Sequence, residues 1–262
     1  MPIANVNGIN INYKVEGQGE PLIMISGFPS TNWKPQKKAF KKYYRTITFD
    51  NRGSGKSDKP AGPYTMKMMA DDTVGLMDHL GIDKAHVLGI SAGGMIAQEL
   101  AINHPERVNK LVLACTFARR DGTSGYTAEI NKAIEAYERS PRDKASQRRL
   151  AGVSMDAVFN KWSYRVFLPL IKLAIRFSAT KESAEQSEAL MAHDAADRLG
   201  MIKAPTLVLT GTEDRLVNPV SSEVIAGLIP KAKLVKVSGG GHAFSVEMSG
   251  EFNKEVLDFL RN

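Results

Sequence analysis

The stretch Gly89-Ile90-Ser91-Ala92-Gly93-Gly94 begins inside a solid apolar run, Ala85 to Ile90, and ends where a helical stripe opens with Ile96, Ala97, Leu100 and Ala101. A chain that passes from strand to helix in so few residues must turn sharply. Side chains at positions 89 and 93 would collide with neighbouring backbone, and a glycine at 94 lets the helix pack closely. Ser91 then stands at the tip of the turn, its hydroxyl projecting from the carboxyl end of a strand. The N–H of Ala92 falls at a helix N-terminus, where negative charge is stabilised.

The rest of the chain repeats this strand–helix pattern. Ile9 to Glu16 alternates apolar and polar residues, as a half-buried strand does. Apolar runs recur at Leu22 to Ile25, Tyr44 to Phe49, Leu111 to Cys115, Thr206 to Thr210 and Lys233 to Val237. Between them, Met69, Thr73, Leu76, Met77 and Leu80 share one helix face, with Thr65 placed to cap its start and Gly81 to end it. Alternation of this kind predicts a mostly parallel sheet with helices on both faces. It breaks once, from about Arg119 to Leu199, where the sequence offers helices and no convincing strand. Ser140-Pro141-Arg142-Asp143 reads as a capping box, and Thr180 is placed to cap a helix. The expected organisation is a core domain of residues 1–118 and 200–262 with a helical cap, 119–199, inserted into it. At 262 residues, 43% hydrophobic and 24% charged, the chain can bury a large core, and these values exclude a disordered, collagen-like or coiled-coil protein. Its one cysteine, Cys115, excludes an intramolecular disulfide or a thiolate metal cluster.

A serine hydroxyl becomes a nucleophile only beside a base that is itself oriented by an acid. Of the five histidines, His79 falls in a helix, His86 in a strand and His104 at a helix end, all suited to structural roles. His193 lies in the insertion. His242 follows the flexible run Ser238-Gly239-Gly240-Gly241 just past a strand, at the same sheet end as Ser91. Asp214, in Gly211-Thr212-Glu213-Asp214 after the strand Thr206 to Thr210, is the candidate acid, with Glu213 as its rival. Three residues on three loops, each past a strand end, in the order Ser91, Asp214, His242, match a nucleophile–acid–base set on a parallel sheet. A second oxyanion donor is expected from Ser26-Gly27-Phe28-Pro29. Phe28 is the candidate, because proline has no N–H.

With these residues in place, the chain resembles the α/β-hydrolase superfamily over nearly its whole length, above all small esterases and enol-lactonase-like members. The resemblance is carried by Asp50-Asn51-Arg52-Gly53-Ser54-Gly55-Lys56-Ser57, Gly89 to Gly94, Asn103-His104-Pro105-Glu106-Arg107-Val108, Gly211 to Asp214 with Pro219, and Gly241-His242. It implies the α/β-hydrolase fold: an eight-stranded sheet, its second strand antiparallel, with a helical cap between the sixth and seventh strands. Many relatives carry histidine where Ser26 stands, and a larger residue where Ala92 stands. Dehalogenases and epoxide hydrolases of the superfamily carry aspartate in place of Ser91.

The implied activity is hydrolysis of carboxylic esters of short to medium acyl chain by a Ser-His-Asp acyl-enzyme mechanism, without metal or organic cofactor. Enol-lactonase, acyl-CoA thioesterase, C–C hydrolase and perhydrolase activities use the same triad. A non-catalytic small-molecule receptor is the alternative of another class. Phe159, Trp162 and Phe167, with Tyr164, form an aromatic cluster in the insertion that is a candidate substrate wall. Val166 to Phe177 reads as an apolar cap helix.

Gly53-Ser54-Gly55-Lys56-Ser57 looks like part of a phosphate loop, but position 50 is aspartate where that pattern needs glycine. Lys34, Lys37, Lys38, Lys41 and Lys42 lie at helical spacing and read first as a solvated face. An anionic or CoA-bearing ligand is their functional reading. The net charge of +7 comes with no nucleic-acid-binding motif. No run is long enough for a membrane span, and the N-terminus has no signal-like segment, so the expected location is cytoplasmic. The expected assembly is a monomer or homodimer.

Overall fold

A computed structural model describes residues 2–27, 33–120, 125–139, 145–146, 149, 152–153, 157–158 and 181–262. Eight strands make one sheet: β1 (Ile3–Val6), β2 (Ile9–Glu16), β3 (Pro21–Ile25), β4 (Arg45–Phe49), β5 (Ala85–Ile90), β6 (Val108–Ala114), β7 (Thr206–Gly211) and β8 (Lys233–Val237). Their spatial order is β1-β2-β4-β3-β5-β6-β7-β8. β2 runs antiparallel to both β1 and β4, and every later pairing is parallel. This is the eight-stranded, mostly parallel α/β-hydrolase fold.

The limits of β2, β5 and β8 are those the sequence predicts. β4 starts one residue late, because Tyr44 donates its N–H to Phe40 O and so closes a helix end instead. β6 begins three residues earlier than expected and stops short of Cys115, where the backbone leaves strand geometry with φ 48. The sequence reading omitted β1, whose inward residues are only Ala4 and Val6. Its signal is Asn7-Gly8, both with positive φ, which closes the β1–β2 hairpin between Val6 and Ile9.

Alternation along the central strands supplies two cores. Ile23, Ile25, Val87, Leu111, Leu113 and Val208 face one side of the sheet, with residues of α2 (Met66–His79) and α3 (Ala92–Asn103). Leu22, Met24, Leu88, Val112, Leu207 and Leu209 face the other. There they meet Phe40 of α1 (Lys34–Phe40) and Phe252, Val256 and Leu260 of the C-terminal helix. As the sequence predicts, Thr65 caps α2, its Oγ1 accepting the Met68 N–H at 3.0 Å, and Gly81 ends the turn with φ +64.

Between β6 and β7, the described residues form α4 (Ala128–Arg139), α5 (Lys181–Met191) and a 3₁₀ turn, Ala196–Met201, and no strand. The chain leaves and re-enters the sheet side by side: Ala195 donates its N–H to Ala118 O at 2.9 Å, and Arg119 bridges Asp194. The Ser140–Asp143 capping box, Thr180, Phe159, Trp162, Tyr164, Phe167 and the Val166–Phe177 run lie outside the described residues. The chain closes with α6 (Val220–Leu228), α7 (Phe244–Glu247) and α8 (Ser249–Arg261). No helix among the described residues is long and apolar enough to cross a membrane.

Candidate active site

Three loops at the carboxyl end of the sheet bring Ser91, His242 and Asp214 together. Ser91 sits between β5 and α3 with φ 57 and ψ −126, a conformation that costs energy in a residue with a side chain. The glycines around it make the turn possible. A Cβ on Gly89 would fall on the Gly93 carbonyl, and one on Gly93 would fall on the Ile25 carbonyl. One on Gly94 would lie 2.6 Å from the Thr116 side chain. Backbone bonds hold the turn from both sides: Ser91 donates to Ala114 O at 2.9 Å, and Gly94 donates to Ser91 O at 2.8 Å.

The loops after β7 and β8 are latched to each other. Thr212 donates to Val237 O, Glu213 donates to Gly240 O at 2.8 Å, and Gly239 donates to Thr212 Oγ1 at 3.0 Å. The two backbones touch at Gly211, where a Cβ would fall on the Gly240 carbonyl. This latch fixes the spacing of Asp214 and His242. Asp214 Oδ2 lies 2.8 Å from His242 Nδ1, and His242 Nε2 lies 3.1 Å from Ser91 Oγ. Asp214 Oδ1 accepts two backbone N–H bonds, from Leu216 and Val217, each 2.9 Å. A carboxylate so held is an acceptor only, so Nδ1 carries the imidazole proton and Nε2 is left to accept from the serine. Asp214 is fully buried, whereas its rival Glu213 is exposed.

Ala92, first residue of α3, is buried beside the serine. Gly27 closes the far side: a Cβ there would stand 3.3 Å from Ser91 Cβ, 3.5 Å from Ser91 Oγ and 3.6 Å from Ala92 N. Asn51 donates its side-chain N–H to Ser26 O at 3.2 Å and so holds the end of β3 that carries Gly27. Phe28 lies outside the described residues, as do the aromatic candidates Phe159, Trp162 and Phe167. Gly27 belongs to the loop from which the sequence predicts an oxyanion donor, whereas Asn51 and Cys115 are neighbours whose place at the site sequence reasoning missed. Their proximity to the site arises from strands far apart in the chain, which no local pattern signals.

The remaining histidines are engaged elsewhere. His79 packs edge-on to Tyr13, His86 faces Glu20 at 3.2 Å, and His104 meets Asp71 at 2.9 Å. His193 is buried, its Nε2 3.4 Å from Gln98 Oε1 and its Nδ1 3.7 Å from Glu99. Burial pushes its pKa down to about 4. The glycine-serine loop after β4 is folded around Asp50, whose carboxylate accepts the Lys56 N–H at 2.9 Å and the Asn12 side-chain N–H at 2.8 Å. Within the basic cluster, Lys37 and Lys41 are turned to Glu16, at 3.1 and 3.7 Å. The described residues whose donor atoms come close enough to share a metal ion are Cys115, Asp214 and His242, all within 4.8 Å of one another.

A family profile described as alpha/beta hydrolase fold matches residues 20–247. The chain belongs to the α/β-hydrolase family. It is a hydrolase of that fold. It is 30% identical, over 99% of its own length and 98% of the relative's, to a protein of Azorhizobium caulinodans named "Putative carbamate hydrolase RutD". It is similar to the crystal structure of the enol-lactonase from Burkholderia xenovorans LB400, with a TM-score of 0.82, 29% identity and all of both chains covered. A thermophilic esterase from Thermogutta terrifontis matches with a TM-score of 0.80 and 28% identity, over 99% of this chain and 97% of that one.

Proposed function

We propose that this hydrolase cleaves carboxylic esters through an acyl-enzyme on Ser91. The observation that carries the reading is the unbroken chain Ser91 Oγ, His242 Nε2, His242 Nδ1, Asp214 Oδ2, with both links at hydrogen-bond distance. In the proposed reaction His242 takes the Ser91 proton as the oxygen attacks the carbonyl, then delivers it to the leaving alcohol. Water activated by the same imidazole releases the acid. Asp214 holds the ring in the required tautomer and stabilises its charged form. The backbone N–H groups of Ala92 and Phe28 are the proposed oxyanion donors, each worth about 3 kcal/mol in the transition state. Residues 119–199 are the proposed cap, with Phe159, Trp162 and Phe167 as its candidate substrate contacts. The chemistry requires no cofactor.

A carbamate is the second reading, favoured by the full-length similarity to the protein named a carbamate hydrolase. It presents the same carbonyl to the same nucleophile. The test is hydrolysis of 4-nitrophenyl esters from acetate to laurate, beside a 4-nitrophenyl carbamate and an enol-lactone, by the wild type, Ser91→Ala and His242→Ala. Turnover of the esters that disappears in both variants supports the proposal. Turnover of the carbamate or lactone alone would replace the substrate class, and ester turnover that survives Ser91→Ala would overturn the mechanism.

A further inference from the structure

At the end of β6 the chain turns through Cys115 with φ 48, in the left-handed region that residues with a side chain rarely occupy, and the residue is buried. Cys115 donates its backbone N–H to Leu209 O at 3.0 Å, while its neighbour Ala114 accepts from Ser91. It therefore sits between the strand that carries the serine and the strand that carries the aspartate. Its sulfur lies within 4.8 Å of both an Asp214 carboxylate oxygen and a His242 ring nitrogen. Burial first, and then the negative charge of Asp214, hold the thiol well above its ordinary pKa, so the sulfur keeps its proton and has an S–H to offer.

We propose that Cys115 is a positioning residue whose S–H donates to Asp214, beside the N–H groups of Leu216 and Val217, and keeps the carboxylate aimed at His242. The strained turn is what points the thiol inward. This inference rests on the reading of Ser91, His242 and Asp214 as a triad.

The test uses Cys115→Ala, Cys115→Gly and Cys115→Ser in the full chain, each first checked for folding by thermal denaturation. Two quantities are read. One is the low-field proton resonance of His242 Nδ1 in the resting protein, assigned by its loss in His242→Ala. The other is the kcat and KM for 4-nitrophenyl acetate. In the Ala and Gly variants the resonance should shift and broaden, and kcat should fall about fivefold, with KM changed by less than about twofold. Serine, which restores a donor, should return the resonance and bring kcat to within about twofold of wild type. Glycine separates the two explanations, because it relieves the left-handed backbone while removing the thiol. If Gly matches or exceeds wild type, or if Ala and Ser behave alike, the inference is overturned. Should the Ala and Gly variants not fold, the serine variant decides alone: a lost resonance or a kcat well outside the twofold band overturns it. If wild-type turnover is absent or survives Ser91→Ala, the triad reading fails, while the resonance still reports whether Cys115 steadies the Asp214–His242 bond.

Discussion

Residue by residue, the site depends on what is missing as much as on what is present. Gly27 has an ordinary backbone conformation, so alanine is allowed there, yet its methyl would stand 3.5 Å from Ser91 Oγ, where a substrate carbonyl must approach. Gly27→Ala is expected to leave the melting temperature within about 3 °C of wild type and lower kcat/KM at least about tenfold. Gly93→Ala places a methyl on the Ile25 carbonyl and should instead prevent folding, visible as loss of soluble protein. Asp214→Asn keeps the shape but presents an N–H towards His242 Nδ1 and favours the wrong tautomer. Its kcat on 4-nitrophenyl acetate should drop by about 10³ to 10⁴. Ser91, Asp214 and His242 were legible in the sequence because each is a reactive side chain on a loop just past an apolar run. Cys115 and Asn51 were not. A buried thiol and an amide gain meaning only from atoms brought in by distant strands.

Elements were legible wherever burial on both faces made a strand mostly apolar, as in β3, β5 and β7. The reading failed at β1, an edge strand with one inward face and an exposed Ile3, whose hairpin turn was its sole strong mark. What the strand pattern does not reveal is how the loop after β4 is clamped. Arg52 makes a two-pronged buried ion pair with Asp72 of α2, at 2.5 and 2.6 Å, and its guanidinium lies 5.7 Å from the centre of the Tyr64 ring. From the other side, Gln186 of α5 donates to Arg52 O at 2.6 Å and to Ser54 Oγ at 2.7 Å. Asp72→Ala strands a buried guanidinium and should cost about 3–5 kcal/mol in urea unfolding. Gln186→Ala removes donors from a buried carbonyl and hydroxyl and should cost about 1–3 kcal/mol.

For the molecule as a whole, the two chain crossings beside β6 meet a buried polar group that makes stability depend on pH. His193 has a folded pKa of about 4, below the ordinary 6.5, because burial disfavours its charged form. Burial lowers His86 as well. In the unfolded chain both titrate near 6.5, so the unfolded state binds the extra protons first. Stability should be level above about pH 7 and fall as the pH drops from 6.5 towards 4, with a slope approaching about 1.4 kcal/mol per pH unit from His193 and a further loss of the same sign from His86. Burial works to raise the pKa of Glu99, but the hydrogen bond and charge of Arg198 outweigh it, so its stabilisation is intact above the ordinary carboxylate value of 4.5 and is lost as the pH falls from there through its lower folded pKa. Urea unfolding of His193→Gln across this range should show a clearly shallower decline between pH 6.5 and 4. An unchanged curve would show that His193 takes its proton without unfolding. The proposed reaction turns on one covalent bond, from Ser91 Oγ to the acyl carbon. The direct measurement is intact and peptide mass spectrometry after brief reaction with a 4-nitrophenyl alkylphosphonate, which traps a serine nucleophile. One adduct per chain is expected, on the peptide that holds Ser91, formed slowly in His242→Ala and absent in Ser91→Ala. An adduct on another residue, or none on an enzyme that turns over esters, would contradict it.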